Sequence, residues 1–424
     1  MIPFLMLLPM LTPVRAGRSR PARTPRALAP VPPAPPAEGA CPPARTTSPR
    51  SRGRRLPAQV LGPRDLNRAL LHRQWLLQRQ QASVPEALEH LVGLQAQATN
   101  PPYYGLWTRL EGFEQDALTR LLTGRKVVRT AMMRATLHLV SARDCLALRP
   151  VLQPAVERVL RQSDHGKKLA GVDTRALVAE GRALLEARPS PRAELGQRLL
   201  AKWPRHDASA LAMAVSCLEP LVVAPPCGTW GNGERTVYTP AEPWLGRPFE
   251  PAVTPDALVL RYLAAFGPAS VKDVQVWSGL PRLGEVMERL RPGLRTFRDE
   301  DGAELFDVPD ARRPSPDMPV PVRFLPAFDN VLLSHANRTR IISDADRKRV
   351  ITLNGKVHAT FLVDGFVKGT WSLARERDTV TLHLSPFSRL SRQDRAALME
   401  EGARLLAFAD AAARGRDVRF APAG

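Results

Sequence analysis

Cysteine is scarce in this 424-residue chain, and the four that occur do not pair: Cys41, Cys145, Cys217 and Cys227 form no Cys-x-x-Cys spacing and have no histidine cluster beside them. A disulfide scaffold and a structural zinc are therefore not expected, no metal or other cofactor is called for, and scattered thiols suit a cytoplasmic protein. Long apolar runs are missing as well. No stretch reaches the roughly eighteen uninterrupted apolar residues of a spanning helix, so no membrane partner is expected. The run from Ile2 to Val14 is broken by three prolines and has no basic residue ahead of it, which argues against an export signal. Acid is the third deficit: 41 Asp and Glu face 61 Lys and Arg, a formal charge of +20. Such an excess favours a polyanionic partner, nucleic acid before anionic membrane.

The charge is uneven along the chain. The first sixty residues hold ten arginines against the single acid Glu38. From Pro21 to Pro57 the composition is Pro, Ala, Arg and Ser, with too little apolar surface to offset the entropy of ordering. Residues 1–60 are read as a disordered extension, and the remainder is still basic, by about eleven charges.

Order is expected from Leu66, where Leu66, Leu70, Leu71, Trp75, Leu76 and Leu77 recur at helical spacing, followed by Leu88, Leu91 and Leu94 on a second helix. Val127 to Met133 and Thr136 to Val140 read as a β-pair about Arg134-Ala135, and Ala142 to Leu160 as a long amphipathic helix. Helices followed by a two-stranded wing describe a winged helix, placed at 61–165. The same grammar returns at 166–250, with helices at 174–186, 192–202 and 208–218 and a wing about Gly228, Gly231 and Gly233. It returns again at 251–312, with helices at 255–265, 271–278 and 283–290 and a wing turning at Asp301-Gly302. Residues 313–424 read as a small α+β cap: strands at 360–363, 366–371 and 379–384 and a terminal helix over 393–413. The fold class expected is mainly α with short β wings, tandem winged-helix units plus a C-terminal α+β part.

Three segments carry chemistry. Gly93-Leu94-Gln95-Ala96-Gln97 places two amides two residues apart at the end of a helix; in extended backbone Gln95 and Gln97 point to one side, with acceptors and donors enough to hold a water. Taken alone, such a pair is more often a solvated helix end or a capping polar pair. In Arg134-Ala135-Thr136-Leu137-His138, strand alternation sets Arg134, Thr136 and His138 on one face, suited to a phosphate or base contact or to the solvent side of a wing. The loop from Phe328-Asp329-Asn330 to His335, Arg338 and Arg340 interleaves short polar side chains with arginines, a mixture that grips a phosphate backbone or simply makes a basic surface; Asp329 is open to a structural role. Trp230, Trp244, Trp277 and Trp371 read as packing residues.

With these segments, the Pro225-Pro226 to Trp230-Gly231 turn and Val363 to Trp371 in this order, the chain resembles the AlkZ-like and YcaQ-like winged-helix DNA glycosylases over about residues 65–410. The diagnostic site of that family is Gln-apolar-Gln in the AlkZ-like branch and Gln-x-Asp in the YcaQ-like branch, and Gln95-Ala96-Gln97 matches the former. The resemblance implies that Gln95 and Gln97 position a hydrolytic water against the anomeric carbon. It implies that Arg134, Thr136 and His138 support them or touch DNA. The expected function is a monofunctional, metal-free DNA glycosylase that acts on N7-alkylated or cross-linked purines in double-stranded DNA, as a monomer. The competing reading is a non-enzymatic winged-helix DNA-binding protein or transcriptional regulator.

Overall fold

Val60 and Leu61 already lie in a strand, parallel to Arg295–Asp299, so order starts earlier than the leucine spacing indicates. Helix Pro63–Arg73 follows directly: proline at its first turn suits the helix start, the Gly62 N–H donates to Asp65 Oδ2 at 3.0 Å, and Leu66, Leu70 and Leu71 turn into the core. The computed structural model describes residues 59–233, 235–250 and 254–422. The extension read over residues 1–60 lies, as far as residue 58, outside the described residues.

The described residues form three sheets, of three, five and five strands. This corrects the mainly-α expectation to a mixed α/β fold. The smallest sheet joins Val60–Leu61 to the hairpin Arg295–Asp299 and Glu304–Asp307, which is the wing expected about Gly302 with one added strand. The central sheet runs Leu94–Gln95, Leu137–Ser141, Val127–Ala131, Leu221–Val223, Tyr238–Pro240, antiparallel throughout. The wings expected for the first two units are therefore one continuous sheet. Thr130 pairs with Val222 across the join, and its hydroxyl donates to the Leu221 carbonyl at 2.7 Å.

The C-terminal sheet orders Gly415–Phe420, Thr379–Pro386, Phe366–Glu376, Thr360–Val363 and Arg323–Leu325. Helix Arg392–Ala409 ends earlier than expected and leads into Gly415–Phe420, parallel to Thr379–Pro386. The sequence reading extended that helix over this approach because Arg-Asp-Val-Arg-Phe offers only two apolar residues to signal an edge strand.

One large cluster ties the helices together, with Leu70, Leu148, Leu152, Tyr262, Phe266 and Trp277 at its centre. Burying aromatic and leucine side chains of this kind stabilises by roughly 1.5–3 kcal/mol each. Helix Ala142–Gln162 is capped by Ser141, whose Oγ accepts from the Asp144 N–H at 3.1 Å. Asp144 in turn accepts two 2.6 Å bonds from Arg261 of helix Pro255–Phe266. Two buried ion pairs lock distant segments: Arg73 with Asp307, and Arg109 with Asp329, each bidentate at 2.7–2.9 Å. Asp329 is thus structural. Trp277 and Trp371 are buried. Trp230 sits edge-on to Tyr103, Tyr104 and Phe408, and Trp244 lies 4.2 Å beneath the Arg125 guanidinium, so all four indoles pack within the fold.

Candidate active site

The Gln-Ala-Gln segment is set by a helix that stops abruptly. Ser83 and Glu86 form a reciprocal cap on Val84–His90. Val92 and Gly93 then take positive φ, 54° and 83°, which ends the helix and turns the chain into the strand Leu94–Gln95. Glycine is required there: a Cβ would stand 2.8 Å from Val140 Cγ1 and 3.1 Å from the Leu139 carbonyl oxygen. The pair therefore lies on and just beyond an edge strand of the central sheet rather than at a helix terminus.

Register places Gln95 opposite His138 and Leu94 opposite Leu139. Each amide is oriented by a donor. Arg134 Nη2 donates to Gln95 Oε1 at 2.9 Å, and the Leu137 backbone N–H donates to Gln97 Oε1 at 3.0 Å. Because both partners are obligate donors, the oxygens are identified without ambiguity. Both Nε2 groups are left without a hydrogen-bond partner among the described residues. Gln95 is buried and Gln97 half-buried. Ala96 between them is fully buried, its N–H bonded to the Leu137 carbonyl at 2.7 Å and its carbonyl to Arg129 Nη2 at 2.6 Å.

The second segment departs from strand alternation. Arg134 and Ala135 both adopt left-handed backbone, φ 57° and 56°, in a tight turn at Met133–Ala135. Non-glycine residues held this way cost of order 1–3 kcal/mol each, and persist where surrounding contacts over-determine them. Here Arg134 Nη1 donates to the Trp277 carbonyl at 2.8 Å while Nη2 holds Gln95. Thr136 turns its hydroxyl back to the Met133 carbonyl at 3.0 Å, which commits it to the turn. His138 is on the strand, 1% exposed, with Nδ1 2.8 Å from the Thr136 carbonyl oxygen. Burial, and then the charge of Arg134, push its pKa down to about 3. The imidazole is neutral and not a cationic phosphate contact.

The loop expected to grip DNA mostly turns inward. His335 is 1% exposed, with Nε2 3.1 Å from the Phe266 carbonyl oxygen and from Arg340 Nη1. Arg340 is also buried and donates to the Pro268 carbonyl at 2.8 Å. A phosphate cannot reach either residue without opening the loop, so both hold the loop in place of the expected DNA contact. Arg338 differs. Its Nε donates to the His335 carbonyl at 3.2 Å, while Nη1 is buried with no partner among the described residues. Burial, then Arg347, pull its pKa down to about 10; burial, then Arg338, do the same to Arg134. The charge of Arg338 is thus felt at Arg134, and neither has a carboxylate partner among the described residues.

Arg129, which the sequence does not single out, and Asn330, named there only as part of the 328–340 loop, complete the frame. Arg129 pins Ala96. Asn330 Nδ2 donates to the Gly93 carbonyl at 2.8 Å, so the 328–340 loop steadies the strand that carries the amides. The only signal for either was a polar residue interrupting an apolar element. Among the described residues no group of three or more side chains is placed to hold a metal ion, and no helix is long and apolar enough to cross a membrane.

Comparison with known proteins gives consistent results. The family model "DNA glycosylase AlkZ-like" matches residues 88–408, a span that contains all of the site. A Streptomyces sahachiroi protein named as an interstrand DNA cross-link repair glycosylase is 24% identical over 356 residues, covering 78% of this chain and 92% of that protein. The solved structure of Streptomyces sahachiroi DNA glycosylase AlkZ superimposes with a TM-score of 0.70 at 20% identity, over 86% of this chain and 100% of that one.

Proposed function

Because the chain belongs to the AlkZ-like DNA glycosylase family, we propose that it hydrolyses the N-glycosidic bond of N7-alkylated purines in duplex DNA, cross-linked adducts included, with Gln95 and Gln97 addressing the water. The observation that carries this reading is the clamped amide pair: two neutral side chains on one edge strand, each fixed through its oxygen by Arg134 or by the Leu137 N–H.

An N7-alkylated purine already bears a positive charge, so it departs as a neutral base without a general acid, and little base strength is needed to receive the proton of the attacking water. The hydrogen-bonded site contains amides, an imidazole and guanidinium groups and no carboxylate. That composition suits a charged leaving group. An uncharged base such as uracil would leave as an anion and demand more. Arg134 and Arg338, half-buried and without a carboxylate partner among the described residues, are assigned to a backbone phosphate beside the lesion. The helix-and-wing units grip the flanking duplex, and the enzyme works as a cytoplasmic monomer. The chain's enzyme family sets aside the regulator reading.

The test is base release from duplexes containing N7-methylguanine, a guanine–guanine N7 cross-link, uracil or hypoxanthine. Release from the two cationic lesions with little from uracil and hypoxanthine is expected. Equal rates on all four, or release confined to the uncharged bases, would refute the leaving-group assignment.

A further inference from the structure

The hydrogen bonds about the amide pair leave one acceptor unused. A water that attacks a sugar carbon needs an acceptor for the hydrogen it gives up, and a donor can hold only one of its two lone pairs while the other forms the new bond. Gln95 Oε1 already accepts from Arg134, and Gln97 Oε1 already accepts from the Leu137 N–H. Each of these oxygens keeps one lone pair, and the free NH2 groups are donors, so neither amide offers an acceptor that is wholly unused.

His138 stands directly across the ladder from Gln95. Side chains opposite one another in an antiparallel pair share a face of the sheet, so the imidazole and the Gln95 amide address the same space. Among the described residues the one close partner of Nδ1 is the Thr136 carbonyl oxygen at 2.8 Å. A carbonyl only accepts, so Nδ1 carries the proton and Nε2 is a bare lone pair. Nε2 has no hydrogen-bond partner among the described residues.

We infer that His138 Nε2 joins Gln95 and Gln97 at the hydrolytic water, accepting its hydrogen bond and then its proton. This inference rests on the glycosylase reading above. In the step, the water oxygen bonds to C1′ as the C1′–N9 bond breaks. The bonding pair leaves with the base, which cancels the positive charge of its N7-alkylated ring. The surplus proton of the added water passes to Nε2 and from there to solvent. Burial and the facing Arg134 keep the imidazole neutral, so it meets the water as an acceptor with basicity near that of a carboxylate but without a negative charge.

The imidazole also has a structural bond through Nδ1, and two substitutions separate the roles. Asparagine reproduces the Nδ1 position and lacks an acceptor at Nε2; glutamine reaches the Nε2 position and loses Nδ1. Single-turnover release of N7-methylguanine from duplex should fall by about 10²–10⁴-fold in His138→Asn, the range for loss of a proton acceptor, with duplex affinity unchanged. His138→Gln should recover at least tenfold of that loss. A His138→Asn rate equal to wild type, or a His138→Gln rate below that of His138→Asn, overturns the inference and leaves the glycosylase reading standing. Inactive wild type overturns both. Should either variant fail to fold, 15N spectra of histidine-labelled wild type decide: a pyrrole-type Nδ1 and a pyridine-type Nε2 for His138 throughout about pH 5–8 support the assignment, and a protonated Nε2 in that range refutes it.

Discussion

Two sets of arginines lie within the same fold, one buried and one half-buried, and differ in what faces them. Arg73 and Arg109 each meet a carboxylate square on, Asp307 and Asp329, at 2.7–2.9 Å. Arg134 and Arg338 meet carbonyl oxygens, one amide and each other's field. A guanidinium taken out of water and left without counter-charge costs stability. The first set keeps the fold closed. In the second, Arg134 holds Gln95, and under the proposed function a DNA phosphate would supply the missing counter-charge. Within one protein, then, the partner of a buried charge separates scaffold from site more sharply than the residue type does.

The comparison breaks first at the balanced pair. Asp329→Ala strands Arg109, both side chains being fully buried, and should cost about 3–5 kcal/mol in equilibrium urea unfolding. A loss under about 1 kcal/mol would remove the distinction. The unbalanced set should respond in the opposite sense. Arg338→Met should leave stability equal or raise it by about 1–4 kcal/mol. The same variant should weaken duplex binding by about tenfold and lower the slope of log affinity against log salt by about one. A less stable Arg338→Met with unchanged DNA affinity would place Arg338 with the scaffold.

A smaller effect comes from the two buried histidines, one in each setting. Both are pushed from an ordinary value of 6.5 down to about 3, chiefly by burial, with Arg134 adding to the shift at His138 and Arg340 at His335. The unfolded chain binds protons at these positions before the native state does. Their contribution is thus complete above about pH 6.5 and is lost progressively as the pH falls toward 3, at up to about 1.4 kcal/mol per unit for each histidine. His335→Gln should flatten the acid limb of stability between about pH 6 and 4 relative to wild type; an unchanged limb would count against a neutral buried His335.

Much of this was legible in the sequence, and the misses have physical causes. Periodicity located helices such as Val271–Ser278 and Leu283–Leu290 and the wing about Gly302, because burial on one face is a local property. Gln95 and Gln97 could be named from their spacing. The contacts that brace them could not: Trp277 lies 143 positions from Arg134 and Asn330 lies 237 positions from Gly93, the groups they touch. The β-pair about Arg134-Ala135 is expected from the sequence, but two consecutive left-handed residues there take Arg134 off the strand face that alternation assigns to it. The polar, arginine-bearing loop at 334–340 looks the same in sequence whether its side chains seek phosphates or backbone carbonyls. Only packing distinguishes Arg338 from its buried neighbours His335 and Arg340.

The central claim is that the clamped amides perform the chemistry rather than hold the duplex. The most direct measurement is single-turnover N7-methylguanine release by wild type, Gln95→Ala and Gln97→Ala, with duplex affinity determined alongside. Rates lower by about 10²-fold or more with affinity within about twofold are expected, as for groups that act on the reacting atoms. Wild-type rates in both variants, or losses that track affinity alone, would contradict the account.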